Sequence, residues 1–355
     1  MIERDDLKAA VGSGLINEKQ AAGLISLSDS RRGARENLNP GDEPFELFKG
    51  FNEIFIVIGL IILSFGWWGV VALALGDEVV NLQDYAMWVT LIGGGILWLL
   101  SEYFVRKRRM VAPAIALSVM FAANAAFGFT AVMSEPFMIA QNDYTSVPFP
   151  LILATLTLAI YWWRFRVPFA MAMIAVGLFI VAIVYAASHA GRIADFSEFF
   201  LLSAGGPFAW ITLALGVLVF IVAMMFDMSD PHRVTRRSAN GFWLHVVAAP
   251  ALVNTMALSL LDQENGGSNL VLLGVLLLFA IVAIVIDRRS FLIAAIGYIV
   301  ALAATVFDGD GAALTVLVLG IVLLLLGAFW ERIRARILRL MPGFVPLHRI
   351  PPSQV

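Results

Sequence analysis

Long apolar runs separated by short polar segments dominate the chain from residue 51 onward. Ten of these runs are about 17–25 residues long, the length a helix needs to cross a hydrocarbon core of about 30 Å. The pattern therefore predicts an all-α fold, a polytopic membrane helix bundle of ten transmembrane helices within residues 51–330. The predicted spans are 51–75, 85–105, 111–133, 147–163, 167–189, 207–226, 241–261, 270–286, 291–307 and 312–330.

Positive charge alternates along the polar segments between these spans. The head, the tail and every second inter-span segment together hold 23 of the 24 Lys and Arg residues, and only Arg192 lies in the remaining segments. Those remaining segments collect acidic residues instead. Because short loops rich in Lys and Arg stay on the cytoplasmic side, both the N-terminus and the C-terminus are predicted to be cytoplasmic.

The first 50 residues are polar and form a predicted cytoplasmic head. The pattern predicts a short helix that stops near Gly12 and Gly14, and a second helix that starts with a capping box of Asn17 and Gln20. The apolar residues expected to join the two helices are Leu15, Ile16, Ala21, Leu24 and Ile25. Two interpretations remain open: a helical pair that rests at the membrane face, or a module within residues 1–50 that binds a ligand or a protein partner.

The last segment, residues 331–355, is a predicted basic and amphipathic cytoplasmic tail. Its sequence ERIRARILRL places three arginines on one helical stripe with apolar residues beside them, namely Arg332, Arg336 and Arg339 beside Ile333, Ile337 and Leu340. A helix of this kind is expected to lie on the anionic lipids of the inner leaflet.

The head also carries a resemblance. The segment LKAAVGSGLINEKQAAGLI, followed by an acidic linker with proline and then by many spans, resembles a family of uncharacterised bacterial multi-pass inner-membrane proteins that begin with a short cytoplasmic helical domain. The residues that match are Leu7, Gly14, Leu15, Ile16, Gln20, Ala21 and Leu24. The resemblance implies a multi-pass location in the cell inner membrane and supplies no activity.

The span count and orientation resemble those of the drug/metabolite transporter superfamily. Two arrangements of the ten spans stay open: repeated hairpins with arginines in their cytoplasmic turns, or two inverted halves of five spans, as in transporters built from inverted repeats.

Composition excludes several classes of function. Hydrophobic residues make up 60% of the chain and charged residues 14%, whereas soluble domains have about 45–50% and about 25%. The absence of cysteine excludes disulfides, thiolate metal sites and iron–sulfur ligation. The HExxH, GxSxG and P-loop motifs are missing as well. The sequence therefore predicts no enzyme, no cofactor, no metal site and no nucleic-acid partner.

Polar residues inside the predicted spans are candidates for function, because they are costly in hydrocarbon. Asn124 lies at the centre of the third span, and His245 and Asn254 lie in the seventh. Pro250 lies deep within that seventh span, where it is expected to kink the helix and free a backbone carbonyl. Two interpretations stay open: these residues line a substrate path, or they bond and pack against neighbouring helices.

The segment before the seventh span forms a second candidate, a cytoplasmic loop polar cluster of Asp227, Asp230, Arg233, Arg236 and Arg237. Asp230 is expected to cap a helix whose first residue is Pro231. Asp227 is expected to pair with Arg236 or Arg237 across the loop. The arginines could bind a phosphate or a lipid headgroup, or serve only to set the orientation of the chain.

Two glutamates lie near the inner ends of the first two spans. Both Glu53 and Glu102 are expected to extend to water, and Glu102 is expected to pair with Arg106 at i,i+4.

Three functions remain open at this level: a transporter or permease of a small solute with its site around the seventh span, a non-catalytic membrane scaffold or regulatory subunit, and a lipid-handling protein. The few buried polar groups and the proline within a span favour the permease. The low number of polar residues in the spans favours the scaffold.

Overall fold

The structure is a computed structural model that describes residues 4–31, 51–75, 82–136, 138–141, 143–190, 196–233, 235–263, 266–288, 310–343 and 345–352. Helices and their connecting turns make up these residues, and the described part of the chain contains no strand. The predicted all-α fold is confirmed. The ninth predicted span, 291–307, lies outside the described residues.

The chain divides into two compact units. One unit comprises Met1–Glu43 together with Phe196–Val355, and the other comprises Pro44–Asp195. The head and the tail therefore belong to the same unit as the later predicted spans.

The head contains α1 (Arg4–Gly12) and α2 (Glu18–Arg31). The predicted capping box is confirmed, because the Asn17 backbone N–H donates to Gln20 Oε1 at 2.9 Å and the Gln20 N–H donates to Asn17 Oδ1 at 2.8 Å. Gly14 lies between the helices with a φ of +76°, a left-handed conformation that glycine adopts without a Cβ clash.

The apolar contact between α1 and α2 is smaller than predicted. Ala21 is buried in a small cluster that includes Val11 and Ile16. Leu15 and Leu24, in contrast, are 80% and 45% exposed, so the prediction was wrong for these two leucines. With only nine residues, α1 offers little surface for α2 to bury against.

The second unit, Pro44–Asp195, is built from helices that follow one another through short connections. They are α3 (Phe51–Leu75), α4 (Leu82–Ser101) with a π-helical extension (Glu102–Lys107), α5 (Ala112–Met133), the short α6 (Met138–Gln141), α7 (Pro148–Phe165) and α8 (Pro168–Ala190). Helix α5 packs against α3, α4, α7 and α8, so it forms the centre of this unit.

Aromatic rings fill the core between α4, α5 and α7. The Tyr161 ring stacks on Phe121 with centroids 4.7 Å apart and lies 4.5 Å from the Phe165 ring. The Tyr161 hydroxyl bonds to Ser101 Oγ at 2.9 Å, which satisfies its polar end within an apolar core.

Glu102 bonds to two arginines on the surface of the same unit. Its carboxylate lies 2.9 Å from Arg106 Nη1 and 2.7 Å from Arg164 Nη2. The predicted i,i+4 pair is confirmed, and Arg164 joins it from the end of α7.

Glu53 differs from the sequence prediction. Its side chain is buried, and its carboxylate accepts hydrogen bonds from the backbone N–H groups of Val111 at 3.4 Å and Ala112 at 3.1 Å. The expectation that Glu53 extends to water was therefore wrong. A carboxylate is stabilised at this position because the N-terminus of α5 presents free N–H donors and a partial positive charge.

The unit formed by Met1–Glu43 and Phe196–Val355 holds the remaining helices. They are α9 (Phe208–Met228), α10 (Arg236–Leu261), α11 (Gly266–Ile286), α12 (Asp310–Ala328) and α13 (Trp330–Leu340). Small residues let α9 and α10 approach closely, since a Cβ placed on Gly216 would lie 3.1 Å from Ala251 Cβ.

Seven described helices are long and apolar enough to cross a membrane: α3, α4, α5, α8, α9, α10 and α11. Of these, α10 has the largest buried share, 56% of its apolar window against 11% for α3, so it lies among its neighbours. Two further predicted spans correspond to α7 and α12. The count of ten spans and the orientation remain predictions.

Replacement of Glu53 by alanine is expected to lower the stability of the protein in detergent by about 1–3 kcal/mol, because two N–H groups at the start of α5 lose a charged acceptor. Thermal unfolding measures the loss. The matched control is Glu102→Ala, which removes a partly exposed carboxylate on the surface and should cost under about 1 kcal/mol. Equal losses in the two variants would contradict a special role for Glu53.

Candidate functional site

Three ionisable side chains from different elements meet at one end of α9, α10 and α11. Asp227 lies in the last turn of α9, His245 lies in the third turn of α10, and Arg288 is the second residue after α11. All three are buried, with His245 0%, Arg288 2% and Asp227 5% exposed. We call Asp227, His245 and Arg288 the triad.

The Asp227 carboxylate is the centre of the triad. Arg288 Nη2 donates to Oδ1 at 2.6 Å and Arg288 Nε donates to Oδ2 at 3.0 Å, a two-pronged geometry that matches a guanidinium to a carboxylate. His245 Nε2 lies 2.9 Å from the same Oδ2. An ionised carboxylate only accepts hydrogen bonds, so Nε2 is the donor in this contact.

A glycine on α10 makes room for this carboxylate. A Cβ placed on Gly241 would lie 2.2 Å from Asp227 Oδ1 and 3.3 Å from the backbone oxygen of Ala223. The close approach of α9 to α10 at this level therefore requires glycine at position 241.

Asp230 organises the turn between α9 and α10. Its Oδ2 accepts from the Thr235 backbone N–H at 2.8 Å, from Thr235 Oγ1 at 2.7 Å and from the Ser238 N–H at 3.4 Å. Helix α10 starts at Arg236 with Thr235 as its N-cap. The prediction that Asp230 caps a helix starting at Pro231 was wrong, because the chain first makes a turn that brings Asp230 back to the start of α10.

A second ion pair lies next to the triad in sequence. Arg233 Nη1 lies 2.9 Å from Asp287 Oδ2, and Arg233 Nη2 donates to the Asp287 backbone oxygen at 2.6 Å. The indole of Trp330 donates to Asp287 Oδ1 at 2.7 Å. This pair thereby joins the turn before α10, the end of α11 and the start of α13.

Helix α13 contributes a third buried arginine. Arg334 is 1% exposed, and its guanidinium donates to the backbone oxygens of Ile284 at 3.1 Å and of Pro351. Burial lowers the pKa of Arg334, and the nearby Asp287 carboxylate raises it. The apolar side of α13 packs on the protein, through Ile333 and Ile337, while its arginine stripe is exposed.

The buried ionisable residues of this region form one group. Asp227 pairs with Arg288 and Asp287 pairs with Arg233, and with Asp230, Arg334 and His245 these residues make up what we call the charge cluster. Burial lowers the pKa of Arg288 to about 9, which still leaves its guanidinium protonated at neutral pH.

Two arginines of the predicted loop cluster take no part. Arg236 and Arg237 are exposed at the start of α10. The prediction that Asp227 pairs with one of them was wrong, because the bidentate and buried Arg288 takes its carboxylate. Arg233 does belong to the site, through Asp287.

The sequence did not identify Asp287, Arg288, Trp330 or Arg334 as site residues. In the sequence, Arg288 is one of two adjacent arginines whose charge is explained by the orientation of the chain in the membrane. Arg334 lies between Arg332 and Arg336 and is not part of the predicted arginine stripe. One signal was available, because Asp227 and Asp287 both follow directly on long apolar runs.

The predicted substrate-path residues are not gathered at one place. Asn124 lies in the second unit, where its Nδ2 donates to the Thr90 backbone oxygen at 3.0 Å. Pro250 lies within a continuous α10 and is exposed, whereas His245 is buried on another face of that helix. Asn254 is half-buried and lies about 13 Å along the helix axis from His245.

No protein-family model, curated protein or solved structure matches this chain. The resemblances of its head and of its span layout therefore stay predictions, and its function has to be argued from the charge cluster itself.

Alanine in place of Gly241 is expected to destabilise the protein by about 1–3 kcal/mol, because the new methyl group would displace the Asp227 carboxylate. Thermal unfolding in detergent is the measurement. Gly274→Ala on α11 is the matched control, since nothing lies within 4 Å of its added Cβ. If the two variants unfolded at the same temperature, the close contact at Gly241 would be disproved.

Removal of one member of the Asp227–Arg288 pair is expected to cost about 3–5 kcal/mol, because the other charge stays buried without its partner. The variants Asp227→Leu and Arg288→Met should each show this loss in unfolding experiments. The double variant should be more stable than either single variant, since it removes both charges together. A double variant whose loss equals the sum of the two single losses would show that the two charges do not depend on each other.

Proposed function

We propose that this chain is a multi-pass membrane permease for a small solute, and that the charge cluster is its working element. The observation that carries the proposal is the burial of six charged side chains and a histidine at the ends of three helices, α9, α10 and α11, that are apolar enough to cross a membrane.

Stability alone does not call for such a cluster. Transfer of an ion pair out of water costs several kcal/mol per ion, and apolar residues of similar volume stabilise a fold equally well or better. Ionisable groups inside membrane proteins mark substrate, ion or proton pathways by default. Because the buried charges cost free energy without a clear gain in stability, we assign the cluster a function.

The membrane placement is part of the same proposal. Ten spans with both ends in the cytoplasm would put the triad at the inner ends of α9 and α10, where the solute would leave or enter the cytoplasm. The bacterial inner membrane is the location that the resemblance of the head implies, and no enzyme activity is proposed.

A scaffold or regulatory subunit is the second candidate. The observation that favours it is the exposure of three leucines on the small head, with Leu15 at 80%, Leu24 at 45% and Leu27 at 57%. Exposed apolar residues on a polar domain are typical of a protein partner surface or a membrane contact. The arginine stripe Arg332, Arg336 and Arg339 is exposed as well, and we propose that anionic lipids bind there.

A comparison of solute uptake between strains tests the permease. In the native host, a deletion strain should differ from the wild type in the uptake of at least one small solute, and the wild-type gene should restore it. The Asp227→Leu/Arg288→Met variant should be inserted and folded yet fail to restore uptake. The control Arg237→Gln changes only an exposed arginine and should restore uptake fully.

If the chain is a scaffold or regulatory subunit, the same strains should give a different result. Uptake of every solute would be unchanged, and a stoichiometric protein would copurify with the wild type but not with a variant that lacks residues 1–45. That pair of results would refute the permease.

A further inference from the structure

Six Lys and Arg residues gather at one end of α4 and α7, in the unit Pro44–Asp195. Within residues 101–110 and 161–167 the only acidic residue is Glu102. Its carboxylate bonds to Arg106 and to Arg164, so it joins the two helix ends and still leaves a large excess of positive charge. We call the six cations the basic platform: Arg106, Lys107, Arg108, Arg109, Arg164 and Arg166.

Aromatic rings orient three cations of the basic platform, and all three are exposed. Lys107 Nζ lies 5.7 Å from the centroid of the Tyr103 ring, and Arg108 donates to the Tyr103 hydroxyl from Nη2 at 3.0 Å. The Arg166 guanidinium lies 5.2 Å from the centroid of the Trp162 ring. Within the described residues no carboxylate pairs with these three side chains. The rings therefore hold the cations at the surface without neutralising their charge.

A belt of exposed apolar side chains adjoins the basic platform. Leu99 on α4 and Ile160 and Trp163 on α7 are each more than half exposed. Leu99 precedes Lys107 by about 12 Å along the helix axis, and the candidate membrane span Gln83–Lys107 ends at that lysine. Apolar side chains followed by aromatic rings and then by cations match the order of hydrocarbon, interface and phosphate in a bilayer.

We propose that the basic platform binds the phosphate groups of anionic phospholipids. This inference rests on the proposed membrane placement of α4 and α7, and it is independent of the permease activity and of the charge cluster. Charge complementarity selects the occupant, because clustered Lys and Arg at the end of a span attract anionic headgroups and guanidinium groups bind phosphate oxygens in pairs.

The apolar belt favours a lipid over other anions. The acyl chains of a bound phospholipid would cover Leu99, Ile160 and Trp163, whereas free phosphate would contact the cations alone. The arginine stripe of the tail belongs to the other unit of the chain, so variants can test the two surfaces separately.

Thermal unfolding of the purified protein in a non-ionic detergent tests the proposal. The probes are dioleoylphosphatidylglycerol and dioleoylphosphatidylcholine, added at the same mole fraction. Phosphatidylglycerol should raise the unfolding temperature by several degrees more than phosphatidylcholine, because a ligand that binds the folded state stabilises it. Salt at about 0.5 M should reduce this difference by screening the charges. Sodium phosphate at the same phosphate concentration should not reproduce it.

The decisive variant is Lys107→Gln/Arg108→Gln/Arg166→Gln, which should lose most of the difference between the two lipids. These side chains are exposed, so the variant should unfold at the wild-type temperature when no lipid is added. The other three cations of the basic platform keep the charge that sets the orientation of the chain. Arg108→Lys/Arg166→Lys is the matched control, because it retains the charge and should retain the lipid effect.

A second control removes the same number of cations from the tail. Arg332→Gln/Arg336→Gln/Arg339→Gln should keep the part of the phosphatidylglycerol effect that the basic platform supplies. An effect that persisted in full in the platform variant and disappeared in the tail variant would overturn the proposal.

Three further outcomes would overturn the proposal as well. They are equal unfolding temperatures of the wild type in the two lipids, the same stabilisation by sodium phosphate, and a loss in Arg108→Lys/Arg166→Lys as large as in the glutamine variant. Solute uptake enters none of these measurements, so the basic platform and the permease fail separately.

Discussion

The bond between the Arg288 guanidinium and the Asp227 carboxylate connects α9 to the segment that follows α11, and the surrounding residues are arranged around it. Gly241 leaves room for the carboxylate, and His245 bonds to one of its oxygens. Ser238 accepts a further hydrogen bond from Arg288 through its backbone oxygen. A bond of this kind, in a buried setting, holds its helices together only while every charge keeps its partner.

That dependence makes the cluster a costly way to join helices. Apolar side chains at the same positions would join α9, α10 and α11 with no risk of an unpaired charge. The proposed permease function gives a reason for charged residues at these positions, which helix packing alone does not.

Local features followed from the sequence with good accuracy. The Asn17–Gln20 capping box and the Glu102–Arg106 pair were predictable because their partners lie three or four residues apart on one helix. The partners of Glu53 were not predictable, because Val111 and Ala112 lie 58 and 59 residues away along the chain. The same holds for Asp227 and Arg288, which are 61 residues apart. Chain distance of that size leaves no periodic signal, so the arginines after α11 were attributed to orientation alone.

The sequence by itself determined that this chain is all helical, that apolar runs of membrane-crossing length dominate it, and that Asp227, Asp230 and His245 needed an explanation. Hydrophobic periodicity and helix capping involve residues only a few positions apart, so both can be recognised in the sequence. Only the tertiary structure decided that Asp227 bonds to Arg288 and His245, that Asp287 and Arg334 belong to the same cluster, and that Arg236 and Arg237 do not. Those contacts depend on how three helix ends and a turn meet, and long-range packing alone sets that arrangement.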